Sequence, residues 1–138
     1  MITLVVGKPF STNAMYRSFA RGNSLTTIKS SAYRGWEEAT RRLIDLQSFE
    51  AVRGRYELEI VLPAGNRIDA DNTVKSFLDC LRKCGVVVDD SPKYLRRLTV
   101  THGDEDFTKL IITPETDNEV ERHEQNNPQA TARGRDIV

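Results

Sequence analysis

The stretch between residues 55 and 88 constrains the fold of this chain more than any other. From residue 55 to residue 62 apolar and acidic side chains alternate, which predicts a half-buried strand that ends at Pro63. Apolar residues then recur at three- and four-residue steps, which predicts a helix from residue 71 or 72 to Cys84, ended by Gly85. Val86 to Val88 predict a short buried strand. The order strand, helix, strand indicates an α/β domain.

The flanking segments supply further predicted elements. Residues 2–6 predict a strand, and Ser30 or Ser31 can cap a helix that runs to about Leu46. Residues 94–101 and 107–113 predict a hairpin around residues 103–106, whereas residues 17–29 predict a flexible basic loop. We therefore expect a single α/β domain over residues 1–114, with a mixed sheet of about four or five strands and two main helices.

The first predicted helix has an apolar stripe that should face the core. Tyr33, Trp36 and Leu43 recur at helical steps together with Ala39 or Thr40, whereas Glu37 falls outside this stripe. We expect Tyr33 and Trp36 to belong to the core rather than to bind a ligand.

The net charge of zero conceals an uneven distribution. From residue 115 the apolar periodicity ends, and residues 115–138 carry six acids against three arginines, which predicts a disordered acidic tail. Residues 1–114 therefore carry a charge of plus three, which permits a polyanionic partner. The chain contains neither an apolar run near the ~20 residues of a membrane span nor a secretory signal, so we expect a cytoplasmic protein without a membrane partner.

Five aspartates and a lysine are concentrated within 22 residues: Asp69, Asp71, Lys75, Asp79, Asp89 and Asp90. Because like charges repel, such a cluster destabilises a fold unless a cation neutralises it, and a divalent metal is the natural occupant. Asp69 and Asp71 would project to the same side of an extended chain, and Asp89 or Asp90 could return to them. Convergent carboxylates suit Mg²⁺, which prefers oxygen ligands. Lys75 could then contact a phosphate, and Asn72 could orient a ligand or a water.

Ordinary structural roles could explain most of these residues when each is taken separately. Asp71 or Asn72 could cap the helix, Asp71 and Lys75 could form a one-turn ion pair, and residues 89–92 could form an ordinary turn. These roles do not explain Asp69 or the gathering of the acids, so the metal site remains the favoured interpretation.

Other common sites fit poorly. An EF-hand is excluded, because Val74 and Cys80 stand where its glycine and its glutamate belong. Cys80 and Cys84 are expected to be core thiols rather than zinc ligands. Neither His102, in a predicted strand, nor His123, in the predicted tail, is a promising base for a nucleophile.

A specific motif spans this region. Arg67-Ile68-Asp69-Ala70-Asp71-Asn72, with Lys75, the helix Phe77-Leu78-Asp79-Cys80-Leu81, Gly85 and Val88-Asp89-Asp90, resembles the signature of the RusA-type Holliday junction resolvases. The likeness extends to Pro9-Phe10-Ser11-Thr12-Asn13 with Tyr16-Arg17 and to the closing predicted hairpin. It covers roughly residues 2–114, and the tail has no counterpart.

The resemblance implies an activity and a set of functional residues. It places metal-binding catalytic aspartates at Asp69, Asp71 and Asp90, a catalytic lysine at Lys75, and supporting residues at Asn72, Asp79 and Asp89. It implies an endonuclease of DNA recombination and repair that depends on Mg²⁺, with Mn²⁺ as an alternative, and that resolves four-way DNA junctions as a homodimer. A two-fold dimer also matches a two-fold symmetric junction in which two strands are cut.

Basic side chains are candidates for contacts to the DNA backbone, with a solvated surface charge as the alternative for each. They are Arg17, Arg21, Lys29, Arg67, Lys93, Arg96 and Arg97. Phe10, Tyr16 and Phe19 could either wedge into a junction or pack in the core. Two rival functions remain open: a non-catalytic nucleic-acid-binding protein, and a metal nuclease for another branched or single-stranded substrate.

Overall fold

Two α-helices pack against a four-stranded mixed sheet in the computed structural model, which describes residues 1–116. The elements are β1 (Ile2–Val6), β2 (Tyr16–Arg21), β3 (Ser24–Lys29), α1 (Ser31–Asp45), β4 (Tyr56–Leu62), α2 (Val74–Lys83), β5 (Leu95–His102) and β6 (Thr108–Pro114). Short 3₁₀ helices cover Thr12–Ala14 and Ala70–Asn72. The predicted α/β class, with a mixed sheet and two main helices, is confirmed.

The core lies between the sheet and the helices. The strand order is β1-β6-β4-β5, and β4 runs antiparallel to β6 and parallel to β5. Alternate residues of β4 are buried, as its sequence pattern predicts. They pack with residues of β1, β6 and both helices, among them Leu4, Leu110, Ile44, Phe77 and Leu81. Burial of each such side chain stabilises the fold by roughly 1.5–3 kcal/mol.

The predicted hairpin between residues 94–101 and 107–113 is wrong, because β4 lies between the two strands. Both strands pair with β4, whose two edges each accept a neighbour. The connecting loop instead crosses the end of β4: Gly103 N–H donates to the Leu62 carbonyl at 2.8 Å, and Ala64 N–H donates to the Glu105 carbonyl at 2.8 Å. A Cβ at Gly103 would lie 2.7 Å from Val61 Cγ1, so this crossing requires glycine.

The predicted flexible loop over residues 17–29 is also wrong, because these residues belong to the antiparallel pair β2 and β3. Arg21 pairs with Ser24, so Gly22 and Asn23 form a two-residue turn. Gly22 has φ +65 and Asn23 has a negative φ, as a type II′ hairpin turn requires. All six residues of β2 are exposed, and without a buried face the strand lacks the apolar alternation that would identify it.

Helix α1 confirms its predicted cap and most of its predicted stripe, since Tyr33 and Thr40 are buried and Trp36 packs against the core. Ser30 Oγ accepts a hydrogen bond from Tyr33 N–H at 3.1 Å. The buried residues are Tyr33, Glu37, Thr40 and Ile44, whereas Leu43, predicted to be buried, is 43% exposed. The buried stripe of α1 therefore includes Glu37, whose carboxylate is paired with Lys29 and Lys83.

Helix α2 begins at Val74 rather than at residue 71 or 72, since Ala70–Asn72 forms a 3₁₀ helix. Gly85 follows the helix with φ +73 and ends it, as predicted. The predicted strand at residues 86–88 does not form: Val87 makes only an isolated bridge to Val52, and Val88 is 45% exposed. Apolar character in this segment reflects burial of Val86 and Val87 under α2, not membership of a sheet.

The predicted tail begins at Glu115, which is still attached to the domain. Its N–H donates to the Arg55 carbonyl at 3.0 Å. Residues 117–138, the rest of that prediction, lie outside the described residues. Within residues 1–116, neither helix has the length and apolar character needed to cross a membrane.

Candidate metal and nucleic-acid site

Asp69 and Asp71 lie in the connection between β4 and α2, and both side chains are exposed. Asp69 is the N-cap residue of the 3₁₀ helix Ala70–Asn72, yet its carboxylate makes no capping hydrogen bond. The N-cap residue of α2 is Thr73, whose side chain does not cap that helix either. Helix capping therefore does not explain Asp69 or Asp71.

Residues 69–73 form a turn that we call the acidic turn. Its backbone contacts the segment that follows β1. Thr12 Oγ1 donates to the Asn72 carbonyl at 3.1 Å, and Ser76 Oγ donates to the Phe10 carbonyl at 3.0 Å. Thr73 Oγ1 also donates to the Ala70 carbonyl at 2.7 Å. The turn is thus held by Thr12 from outside and by Thr73 from within, which limits the positions available to the two carboxylates.

Lys75 and Asp79 are brought together on α2, at 3.9 Å between Nζ and Oδ1. Asp79 is buried. Its carboxylate also lies 3.7 Å from Arg82 Nη2 and accepts a hydrogen bond from the Tyr33 hydroxyl at 3.5 Å. Because α2 starts only at Val74, Asp71 lies outside this helix, and Lys75 pairs with Asp79 rather than with Asp71. These contacts give Asp79 a role in holding the fold together. The Lys75 side chain, by contrast, is 53% exposed and can contact a ligand.

Asp89 and Asp90 follow α2 and lie near Tyr56, the first residue of β4. The Tyr56 hydroxyl donates to the Asp89 carbonyl at 2.8 Å. Burial raises the pKa of Tyr56 to about 12, and the negative charges of Asp90 and Asp89 contribute to this shift. Hydrogen bonds from the Asp90 backbone and the Ser91 hydroxyl lower the pKa of the Asp89 carboxyl. Asp89 therefore interacts with the residues of its own turn, and Asp90 stays the metal ligand that the resemblance implies.

The predicted metal triad is not assembled within the described part of one chain. Asp69 and Asp71 precede helix α2, which is about 15 Å long, and Asp90 follows it. Among residues 1–116, no three His, Cys, Asp or Glu side chains are grouped so that they could hold a metal ion. Asp69, Asp71 and Asp90 as one set of metal ligands therefore stay a prediction.

The predicted DNA contacts fall on three surfaces. Arg17 and Arg21 lie on β2, Arg67 precedes the acidic turn, and Lys93, Arg96 and Arg97 lie at or just before β5, an edge strand; all six residues are exposed. Lys29 differs, because its Nζ lies 3.2 Å from the Glu37 carboxylate and 5.6 Å from the centre of the Tyr33 ring. Lys29 therefore holds β3 against α1 and is less available to a ligand.

Glu37 is the important residue that the sequence pattern did not identify. Its carboxylate lies 2.9 Å from Lys83 Nζ as well as 3.2 Å from Lys29 Nζ, so it links α2 to β3. Burial alone would raise the pKa of Glu37, but hydrogen bonds from Lys83, Lys29 and Tyr33 outweigh this effect and lower it. The available signal was its position four residues after Tyr33, which places both residues on one face of the helix. Its pairing with Lys83, 46 residues away, could not be inferred from the sequence.

The three aromatic residues that could wedge into a junction, Phe10, Tyr16 and Phe19, differ in their surroundings. Phe10 and Tyr16 pack against Tyr33, with ring centres 5.5 and 6.3 Å apart. Within residues 1–116 no other aromatic ring packs against Phe19, which lies on β2 and is 41% exposed. Phe10 and Tyr16 therefore belong to the domain's aromatic cluster, and Phe19 does not.

No protein-family model and no curated protein matches this chain. The resemblance in the motif around Asp69 thus rests on the residues themselves.

Proposed function

We propose that this protein is a Mg²⁺-dependent, structure-selective endodeoxyribonuclease that resolves four-way DNA junctions as a homodimer. The observation that carries the proposal is the state of Asp69 and Asp71, which are exposed and cap no helix although they stand at a turn fixed by hydrogen bonds. Structural roles account for Asp79 and Asp89 but not for these two residues. Exposed carboxylates on an ordered turn are suitable oxygen ligands for a hard divalent cation.

The donor chemistry fits a hard divalent cation. Asp69, Asp71 and Asp90 are the residues that would hold Mg²⁺, or Mn²⁺ in its place, and the ion would supply Lewis acidity and a more acidic water. Lys75 is exposed at the start of α2 and can bind a phosphate oxygen as a point charge. Arg67 precedes the acidic turn and can position the same strand through its guanidinium group.

The homodimer has a physical rationale in the symmetry of the substrate. A four-way junction has two-fold symmetry, and its resolution requires cuts in two strands of like polarity. A two-fold protein with one acidic site per subunit provides both cuts. Arg17, Arg21, Arg96 and Arg97 would contact the backbone of the arms, so binding should depend on shape and on salt.

A non-catalytic nucleic-acid-binding protein is the second candidate function. The observation that favours it is the lack, within residues 1–116, of three acids grouped to hold a metal ion. In that case Asp69 and Asp71 would only shape the electrostatic surface beside the bound nucleic acid.

The decisive experiment compares cleavage of synthetic four-way, three-way and linear duplex DNA at one fixed salt concentration. The proposal predicts paired cuts in the four-way junction that require Mg²⁺ or Mn²⁺ and disappear with EDTA. Equal cutting of all three substrates would exclude a resolvase and leave a less selective metal nuclease. Tight binding of the junction without cutting under any metal condition would favour the non-catalytic candidate.

A further inference from the structure

The hairpin formed by β2 and β3 presents one chemically distinctive face. Residues at alternate positions of a strand share a face, so Arg17, Phe19 and Arg21 lie together. Their cross-strand partners on this face are Ile28, Thr26 and Ser24. The face thus consists of an exposed aromatic ring between two guanidinium groups, opposite mainly small polar side chains.

The hairpin is held in position at its base. Ser30 N–H donates to the carbonyl of the buried Met15 at 2.9 Å, and Lys29 pairs with Glu37. Across the two strands, the Ser18 and Thr27 hydroxyls are hydrogen-bonded at 3.0 Å. Because an isolated two-stranded hairpin is only marginally stable in water, these anchors explain how an element with so little buried surface keeps its geometry.

The charge around the hairpin favours a polyanion. The first 36 residues contain five basic side chains and no aspartate or glutamate, and the first acid of the chain is Glu37. The Glu37 carboxylate is itself paired with Lys29 and Lys83. Arg17 and Arg21 are four residues apart on a strand, a distance of about 13 Å, which is well above the ~3.4 Å axial rise between successive nucleotides of one strand. The two guanidinium groups can therefore contact separate phosphates of one strand.

We infer that this face is a branch-point contact for DNA, in which Arg17 and Arg21 bind backbone phosphates and Phe19 stacks on a base at the junction centre. The inference rests on the proposed function, to which it adds the element that distinguishes branched from linear DNA. Bases in a continuous duplex are stacked on both sides, whereas stacking is interrupted at a branch. An aromatic ring can stack on a base at such an opening without first unstacking a base step, which costs about a few kcal/mol in a continuous duplex. The arginines, by contrast, contact phosphates in any duplex.

The test measures binding rather than cleavage, with the full chain in EDTA, on a four-way junction and on a linear duplex of equal length. Phe19→Ala should weaken junction binding by about 5-fold to 150-fold, the range expected for loss of one stacked base, and leave duplex binding unchanged. The double variant Arg17→Ala with Arg21→Ala should weaken binding to both DNAs and reduce the salt slope by about 2.

Matched controls are available in the same chain. Leu25→Ala removes a large, 78% exposed apolar side chain from the opposite face of the same hairpin, where Leu25 pairs with Ala20. Its junction affinity should equal that of the wild type. For the arginines, Arg53→Ala with Arg42→Ala removes the same charge from exposed positions outside the hairpin, and should change the salt slope less.

The outcomes separate the inference from the proposed function. If Phe19→Ala keeps the preference for the junction, or Leu25→Ala loses as much, the branch-point contact is wrong while the nuclease proposal stands. If the wild type prefers the junction through Phe19 but never cuts it, the contact stands and the nuclease proposal falls. A wild type that binds neither DNA overturns both.

Discussion

The acids near α2 fall into two groups with opposite surroundings. Glu37 and Asp79 are buried, and each is accompanied by two basic side chains within 4.0 Å. Asp69 and Asp71 are exposed and cap no helix. A carboxylate loses hydration when it is buried and must regain it from partners, whereas an exposed carboxylate needs none. The contrast indicates that the first pair stabilises the fold and that the second pair is available to a ligand.

The two pairs should therefore respond to substitution in opposite ways. Removal of a charge from the buried pair should lower the free energy of unfolding, since basic side chains would lose their partner. Removal of a charge from the exposed pair should leave stability unchanged and affect activity alone.

The largest expected effect is on cleavage by Asp69→Asn. We expect a loss of at least about 100-fold in the single-turnover rate on a four-way junction, the scale on which removal of one electrostatic group at an active site acts. Junction binding should survive, and the free energy of unfolding should stay within about 0.5 kcal/mol of the wild type. Asp104→Asn, an exposed aspartate in the loop after β5, is the control and should cut normally. Wild-type rates for Asp69→Asn would refute the catalytic assignment.

A smaller effect, on stability, is expected for Glu37→Gln. Loss of charge-assisted hydrogen bonds to Lys29 and Lys83 should lower the free energy of unfolding by about 1.5–3 kcal/mol at pH 7. The neighbouring Glu38→Gln removes an exposed ion pair with Arg42 at 2.7 Å and should cost at most about 0.5 kcal/mol. Denaturant titrations of the three proteins measure both values. Equal stability of the two variants would show that burial of Glu37 has no energetic consequence.

The same variant makes the pH dependence testable. The pKa of Glu37 is lower in the folded chain than its ordinary value of 4.5. A carboxyl group of this kind stabilises the fold above the unfolded pKa, and the contribution is lost as pH falls through the folded pKa. The difference between wild type and Glu37→Gln should therefore be largest near neutral pH and shrink below about pH 4.5. A difference that stays constant down to pH 3 would contradict the ionic role.

Much of the fold could be predicted because β4, α1 and α2 carry strong local patterns. The pairing of β5 and β6 could not, since adjacency in sequence favours a hairpin while both strands gain more by flanking β4. The β2–β3 hairpin was missed because its strands bury little, so only the Gly22-Asn23 turn marks it. Burial of Glu37 depends on Lys83, which is 46 residues away, and no periodicity contains that information.

The acidic site was predictable in composition but not in assembly. Spacing identified Asp69 and Asp71 as a pair, and the structure removes the capping explanation for Asp71. Spacing also placed Asp71 on α2, which fails because the helix starts two residues after Asn72. Whether Asp90 joins the pair depends on contacts between distant segments or subunits, for which local sequence carries no signal.

The smallest expected effect concerns a third group of acids, in residues 117–138, which contain five acids against three arginines. If these charges compete with DNA, deletion after Thr116 should tighten junction binding about 2-fold to 5-fold at low salt, and the gain should vanish above ~0.15 M salt as screening shortens the range of repulsion. The cut spares Glu115, which is bonded to Arg55. A full-length control with those five acids changed to amides should reproduce the gain, because charge rather than length is responsible. Unchanged affinity of both variants at low salt would show that only the acids around α2, and not those of the tail, influence DNA binding.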